Sequence, residues 1–258
     1  MSTNNSTVHK FIQRLLLSEE YPCSYWDGKQ QQIKAFYCNE RLSDDALDIL
    51  LANGFRRCGD FYYQNTCPLC RLCIPYRIVL NELILNRTQK RTINKNSGMI
   101  LKVNQTPYST DEKICLYLKY QLNRHKNSER FDDKEKNNLI NSMQNQMFSN
   151  FGNTIELEYY SNDVLLGFAI FDVGKTSISA VYSVYDPDLL KNSMGNYIIL
   201  SSMNWARENN FIYYYLGLFL ENHEKMDYKK NFGLAEIYNL EKDLWVKCVK
   251  NFNRKGDQ

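Results

Sequence analysis

The sequence predicts a mixed α/β fold in two parts, a smaller one over residues 1–96 and a larger one over residues 97–258. Three observations support this division. In the second part, helix-like periodicity alternates with runs of β-branched and aromatic residues. The first part holds three cysteines within seven residues, and Asn, Ser and Gly cluster at residues 96–98, a composition typical of a boundary.

Composition and charge are those of an ordinary globular protein. Hydrophobic residues make up 43% of the 258 residues, and the net charge of +3 restricts any nucleic-acid contact to a local basic patch. No apolar run approaches the ~18 residues of a membrane span. The first ten residues, MSTNNSTVHK, lack the apolar stretch of a secretory signal. We therefore expect a cytoplasmic protein without a membrane partner, whose eight cysteines stay reduced.

In the first part, the run LSDDALDILLANGF predicts a helix. Ser43 suits its N-cap, Asp44 and Asp45 suit the positive end of the helix dipole, and Gly54 can end it. The cysteine stretch CPLCRLCIPYR follows at residues 67–77.

The second part opens with two predicted helices. Ser109 and Glu112 have the spacing of a capping box, and Ile140, Met143 and Met147 recur at helical spacing. A strand is also predicted at MILKV, before both helices. The later elements are, in order, the strands TIELEYY, VLLGFAIFDV and SISAVYSVY, the helix GNYIILSSMNWAREN, the strand FIYYYLGLF, a short helix at EKMDYKKNF, and the strands LAEIYNL and DLWVKCV.

This order of elements resembles the N-acetyltransferase-type (GNAT) fold, whose members move acyl groups onto amines. The resemblance implies a GNAT-like body after the cysteine-containing part. Topology alone does not identify the chemistry, because one fold hosts many functions.

Motifs spread along the chain point to a narrower family. In order, they are YPCSYW, LLANGFRRCGDFYY, CPLCRLCIPYRI, NRTQKRTINKN, LYLKYQLNRH, SAVYSVYDPD, SMGNYIIL and YLGLFLENHEKMDYKKNF. Together they resemble the aminoacyl-tRNA–protein transferases, most closely the bacterial aspartate/glutamate leucyltransferases, which are relatives of the eukaryotic arginyltransferases.

The resemblance implies that an amino acid is moved from a charged tRNA to the N-terminal α-amine of a protein that begins with Asp or Glu. The first part would recognise this acidic N-degron, and the product would be passed to the degradation machinery. The donor ester is already activated, so catalysis needs no cofactor. The C-x-x-C-x-x-C spacing and the compact length favour a leucyl donor, with an arginyl donor as the alternative. The sequence leaves open whether the amino-acid pocket is apolar or acidic.

Four thiols are candidate metal ligands. Cys67, Cys70 and Cys73 are too close together for an ordinary set of disulfides, and the resemblance adds Cys23 as a fourth ligand. A structural zinc ion or iron–sulfur cluster is the functional interpretation. The alternative is a set of reduced thiols packed in a small domain.

Cationic side chains are the expected partners of an acidic acceptor, because the planar guanidinium matches a carboxylate. Arg56, Arg57 and Arg77 flank the cysteine stretch and are predicted to bind the acceptor. The alternative for Arg57 and Arg77 is pairing with a structural acid such as Asp60.

Further cations are assigned to the acceptor or the tRNA. Lys225 and Lys229 lie four residues apart, on one face of a helix, and are predicted to bind the acceptor; binding the tRNA or merely facing solvent is the alternative. An acid-free basic run suits salt-sensitive contacts with phosphates, although it can also be a solvated loop. The residues predicted to bind tRNA are Arg87, Lys90, Arg91, Lys95, Arg124 and His125.

The catalytic demand is modest, because the acceptor amine has a pKa near ~8. The candidates are Asp186, Tyr185, Ser193 and Tyr215. Asp186 can instead be a turn acid before Pro187, and Ser193 can instead cap the following helix. Gly195, near the start of that helix, can expose backbone N–H groups to a phosphate or to the ester carbonyl.

Two other classes of protein remain open. An acetyl-CoA-dependent N-acetyltransferase would need a Gly-rich pyrophosphate loop, and the run KNSMGNYIIL offers only Gly195. A non-enzymatic RNA-binding module with a metal knuckle would bind tRNA whether or not it is charged.

Overall fold

The computed structural model describes residues 13–38, 40–124, 130–148, 153–224 and 226–248. Up to residue 95 the elements are β1 (Leu16–Leu17), β2 (Tyr21–Pro22), β3 (Gln30–Gln31), β4 (Ile33–Tyr37), α1 (Asp44–Ala52), β5 (Arg56–Cys58), β6 (Phe61–Asn65), β7 (Ile74–Val79), a 3-10 turn (Leu80–Glu82) and α2 (Arg87–Lys95). The later elements are β8 (Ile100–Asn104), α3 (Asp111–Arg124), α4 (Asp133–Met147), β9 (Thr154–Ser161), β10 (Val164–Val173), β11 (Ser177–Tyr185), a 3-10 segment (Pro187–Asn192), α5 (Met194–Glu208), β12 (Tyr213–Phe219), a 3-10 segment (Asp227–Asn231), β13 (Ala235–Asn239) and β14 (Leu244–Lys247).

The fold is mixed α/β, as predicted, and is organised around an eight-stranded sheet. The strand order in that sheet is β14-β13-β7-β12-β11-β10-β9-β8, and a separate four-stranded sheet has the order β1-β4-β6-β5. All neighbours in the large sheet are antiparallel except β11 and β12, which are parallel. The predicted order of strands and helices after residue 96 is confirmed, and it builds a GNAT-like body.

The large sheet also draws on the first part of the chain. Strand β7 precedes residue 96, yet it lies in the middle of the sheet, between β12 and β13. The two predicted parts therefore share one sheet. The sequence of the run IPYRIV did not indicate this position, because strand pairing depends on contacts between residues that are distant along the chain.

The parallel strands β11 and β12 stay together over a short distance only. They pair at Ser177, Ile178 and Ser179 of β11, opposite residues 213–215 of β12. Beyond this point β11 continues to Tyr185 along β10, whereas β12 continues to Phe219 along β7. The separation of the two strands leaves a cleft at their carboxyl ends.

Capping residues were predicted for the starts of α1 and α3, and the structure agrees with the prediction for α1 but not for α3. The Ser43 hydroxyl accepts a hydrogen bond from the Ala46 N–H at 3.2 Å, so α1 is capped as predicted. The predicted capping box of α3 is wrong, because the Thr110 hydroxyl takes the capping position by accepting from the Lys113 N–H at 3.2 Å. The carboxylate of Glu112 instead accepts from the backbone N–H of Leu165 at 3.0 Å, a contact between elements that the local sequence does not reveal.

The acid-free basic run is a helix and not a loop. The Asn86 side chain accepts from the Gln89 N–H at 2.9 Å, and the Gln89 side chain accepts from the Asn86 N–H at 2.8 Å. This reciprocal capping fixes the start of α2. The spacing Asn-x-x-Gln was the local signal for it.

A buried ion pair joins the small sheet to the large one. Arg57 Nε on β5 donates to both carboxylate oxygens of Asp172 on β10, at 2.8 and 3.0 Å. The Thr154 hydroxyl donates to the same carboxylate, and Arg57 Nη1 donates to the carbonyl of Gly59. Both charged side chains are almost fully buried. The pair therefore fixes β5 against the body of the protein.

No helix in the described ranges is long and apolar enough to cross a membrane.

We expect Asp172→Ala to lower the free energy of unfolding by about 3–5 kcal/mol, because it leaves the Arg57 charge buried and unpaired. Urea unfolding followed by circular dichroism measures this loss. The matched variant Asp133→Ala, at an almost fully exposed position, should change stability by only about 0–1 kcal/mol. Equal losses in the two variants would contradict the role of the buried pair.

Candidate active site

A cavity of ≈ 630 Å³ lies where β11 and β12 separate. Its walls come from β10, β11, β12, Ser193 and the first turns of α5, Tyr120 of α3, and Met226, Tyr228 and Lys229. Arg56 of β5 completes the lining from the first part of the chain. The cavity is therefore shared by the two parts that the sequence predicted.

The cavity contains a cluster of apolar side chains. Phe171, Met194, Ile198, Tyr214 and Leu216 all line it and are all buried. Within the described ranges, no Asp or Glu lines the cavity. An apolar, acid-free wall is suited to an aliphatic group and unsuited to a cationic one.

Arg56 brings a positive charge to this cavity. Its Nη1 donates to the Tyr63 hydroxyl at 3.2 Å, and no acidic side chain in the described part of the chain pairs with it. The guanidinium lies against Gly217, where an added Cβ would come within 2.9 Å of Arg56 Nη2. Gly217 has φ +85°, a conformation that also favours glycine. The backbone of β12 thus leaves room for the Arg56 side chain.

Lys229 is a second cation on the cavity wall. Its residue exposure is 4%, and its Nζ donates to the backbone carbonyl of Leu218. Burial, together with the nearby Arg56 charge, holds the pKa of Lys229 well below its usual value. Neither cation has a carboxylate partner among the residues that the structure describes.

The structure does not bring the other two predicted arginines to the cavity. Arg57 pairs with Asp172, and Arg77 pairs with Glu236, with Nη2 to Oε2 at 2.7 Å. Arg77 Nη1 also donates to the hydroxyl of Tyr215, one of the predicted catalytic residues, at 2.9 Å. These three side chains do not line the cavity, and their contacts are those of structural residues.

Two of the remaining catalytic candidates line the cavity, and one does not. Tyr185 and Ser193 contribute to its wall. Lys119 donates to the carboxylate of Asp186 at 2.7 Å, and the same carboxylate accepts from the Asp188 N–H at 2.9 Å. Asp186 therefore has the contacts of a turn acid, the alternative that its position before a proline indicated.

Ser193 occupies the N-cap position of α5, but its hydroxyl does not cap the helix. Its backbone is left-handed, with φ 53°, and its side chain makes no capping hydrogen bond. The next turn lies close to the cavity wall, since a Cβ on Gly195 would come within 3.0 Å of the Tyr185 ring. A hydroxyl and the first N–H groups of a helix thus meet at one side of the cavity.

The basic helix α2 is tied to the segment that leads into this wall. Lys95 Nζ donates to the Lys191 carbonyl at 2.7 Å, and the Asn96 side chain donates to the Asn192 carbonyl at 3.0 Å. Four cations of α2 are exposed, and all four were predicted to bind tRNA: Arg87, Lys90, Arg91 and Lys95. Arg124 is the last residue of α3, whereas His125 and Lys225 lie outside the described residues.

The four predicted metal ligands share one region of the structure but do not form a coordination shell. Burial raises the pKa of Cys73 to about 12, with further contributions from Cys23, Cys67 and Cys70. Among the described residues, no group of three or more potential ligands could hold a metal ion. A structural metal stays a prediction, and a set of reduced thiols stays its alternative.

Sequence reasoning missed the apolar lining of the cavity. Phe171, Tyr214 and Leu216 occupy strand positions that are typical of an ordinary core. No local signal distinguishes them, because the cavity exists only where two strands separate.

Comparisons with known proteins identify the family of the chain. The family model described as arginine-tRNA-protein transferase, N terminus, matches residues 21–91, and the corresponding C-terminus model matches residues 112–239. An aspartate/glutamate leucyltransferase of Leptospira interrogans is 36% identical over 230 residues, which cover 89% of this chain and 88% of the relative. Another from Saccharophagus degradans is 33% identical over 87% of this chain and 93% of the relative.

Among solved structures, the chain superposes on the C-terminal domain of a putative lysylphosphatidylglycerol synthetase from Agrobacterium fabrum. The TM-score is 0.44 at 17% identity, over 72% of this chain and 54% of that one. Because both family models match in order and the curated relatives align over most of its length, the chain belongs to the aminoacyl-tRNA–protein transferase family, enzymes that move an amino acid from a charged tRNA to a protein acceptor.

Proposed function

We propose that the protein moves leucine from leucyl-tRNA to the N-terminal α-amine of proteins that begin with Asp or Glu. The observation that carries this proposal is an acid-free cavity that combines apolar walls with Arg56, a cation without an acidic partner in the described ranges. The names of the curated relatives support the same donor and the same acceptors.

The lining of the cavity favours leucine over arginine as the transferred residue. Phe171, Ile198 and Leu216 offer an aliphatic side chain an apolar surface, and burying it there removes apolar area from water. A guanidinium there would lose its hydration and find no carboxylate among the described lining residues. It would also be repelled by Arg56 and by any protonated Lys229.

The acceptor carboxylate is assigned to Arg56. A guanidinium can offer two parallel N–H donors to a carboxylate, and burial strengthens this charge-assisted interaction. Arg57 and Arg77 were predicted for the same role, but each of them is already paired with an acidic side chain of the protein. The ion pair of Arg57 contributes indirectly to acceptor binding, because it fixes the strand β5 that also contains Arg56.

Catalysis is assigned to positioning and to stabilisation of the oxyanion. The α-amine attacks the carbonyl carbon of the ester, a C–N bond forms, and the ribose hydroxyl leaves. The hydroxyls of Tyr185 and Ser193 and the first N–H groups of α5 are the donors on the wall that can face the developing oxyanion. The exposed cations of α2 bind the tRNA backbone near the same wall.

We assign the reaction to the cytoplasm, where charged tRNA is found. The leucylated product carries a new N-terminal residue that the degradation machinery recognises as an N-degron.

The decisive experiment uses the purified full chain with tRNA charged with labelled leucine or, separately, labelled arginine. Peptides beginning with Asp, Glu, Lys or Ala serve as acceptors. We expect leucine on the Asp and Glu peptides and no transfer from arginyl-tRNA. Transfer of arginine would contradict the donor, and equal labelling of the Ala peptide would contradict the acceptor.

Arg56→Ala should lower kcat/KM for the Asp peptide about 10- to 150-fold, the equivalent of losing one charged hydrogen-bond partner. The KM for leucyl-tRNA should stay unchanged, since the donor does not need this charge. Arg207→Ala, an exposed arginine on α5, is the matched control and should leave both parameters unchanged. The assignment of Arg56 fails if the two substrates lose affinity together.

The double variant Lys90→Glu/Arg91→Glu should raise the KM for leucyl-tRNA and reduce the slope of log affinity against log salt by about 1 for each lost phosphate contact. Steady-state kinetics at several salt concentrations measure both effects. Lys134→Glu, on the exposed face of α4, reverses a charge elsewhere and should have no effect. An unchanged salt slope in the double variant would remove α2 from the tRNA site.

A further inference from the structure

Lys229 occupies an unusual position for a lysine. It is almost fully buried, it lines the cavity beside Arg56, and its Nζ donates only to a backbone carbonyl, that of Leu218, among the described residues. A structural lysine at this depth normally has a carboxylate partner, as Lys113 has in Glu156. Lys229 has none in the part of the chain that the structure describes.

The surroundings of Lys229 favour a neutral amine. Burial and the Arg56 charge both lower its pKa, and no described acid faces it. Among the described residues, the other titratable side chains on the cavity wall are tyrosines. They are Tyr120 of α3, Tyr182 and Tyr185 of β11, Tyr214 of β12 and Tyr228 beside Lys229 itself.

We propose that Lys229 is the general base that takes a proton from the α-ammonium of the acceptor. This inference rests on the proposed function and changes the role that the sequence predicted, which was to hold the acceptor. A neutral amine with a free lone pair inside the cavity is the group that this step needs, and none of the three other cavity-lining candidates, Arg56, Tyr185 and Ser193, supplies one at neutral pH.

The step balances in protons and bonds. Lys229 Nζ takes one proton from the α-ammonium and becomes an ammonium group. The neutral α-amine then forms a C–N bond with the ester carbonyl carbon, and the bond from this carbon to the ribose oxygen breaks. The ribose oxygen leaves with the proton that the attacking nitrogen loses, and Lys229 returns its own proton to water.

The position of Arg56 couples this step to the identity of the acceptor. In the free enzyme, the Arg56 charge opposes protonation of Lys229. A carboxylate bound to Arg56 offsets that charge, so Lys229 becomes a stronger base when an Asp or Glu side chain arrives. An Ala acceptor would leave the charge in place. Acidic acceptors are thereby selected in the chemical step as well as in binding.

The test compares Lys229→Gln and Lys229→Arg with the wild type, using leucyl-tRNA and the Asp peptide between pH 6 and 9.5. Both variants should lower kcat at pH 7 by about 10-fold, because only about one acceptor amine in ten is then neutral without a base, whereas the KM for the Asp peptide changes little. The loss should shrink above about pH 8, because the acceptor amine then loses its proton to water without help. Thermal melts establish that each variant is folded.

Lys229→Arg distinguishes a general base from a residue that only binds the acceptor carboxylate. Arginine keeps the positive charge but cannot lose its proton. A variant with Arg at this position that keeps its kcat would overturn the proposal. So would a loss in Lys229→Gln that is confined to KM or does not depend on pH. The exposed Lys242→Gln is the matched control and should behave as the wild type. Failure of the proposed function is a different result, since the wild type itself would not then label the Asp peptide.

Discussion

The separation of β11 from β12 is the constraint on which the rest of the site depends. Two parallel strands that pair at three positions only must find other partners for the rest of their length, and they do so in β10 and β7. The space between them is closed on one side by α5. Phe171, Tyr214 and Leu216 would be core residues in a continuous sheet, and here they line a cavity that can hold a substrate.

The charges of the cavity are set by the first part of the chain. Strand β5 is fixed to the large sheet through the buried pair between Arg57 and Asp172, and the residue before Arg57 is the one that reaches the cavity. Among the described residues Arg56 and Lys229 have no acidic partner, and this costs stability because desolvated cations are unfavourable. The proposed function gives a physical reason for this cost, because in it Arg56 binds the acceptor carboxylate and Lys229 accepts a proton.

The residues proposed to hold the two substrates lie on different elements. The basic helix α2 is attached to the segment before α5, so a nucleic acid bound there lies near Ser193 and the first turn of that helix. Arg56 and Lys229 lie on other elements, β5 and the 3-10 segment near the end of the chain. Holding the charged tRNA and the N-terminus of the acceptor protein in one orientation is the main source of rate in an aminolysis of an activated ester.

Local patterns in the sequence were sufficient for the helices other than α2, for the strands of the second half and for the family. Capping side chains and hydrophobic periodicity act over a few residues, and the motifs can be read without any contact map. Arg56, Tyr185, Ser193 and Lys229 were named in this way, and all four line the cavity. The choice between them and Arg57, Arg77, Asp186 or Tyr215 needed the folded chain. Each of those four has a partner that is distant in sequence or is held in a turn, and partners of this kind are set by how strands align and not by which residues are neighbours along the chain.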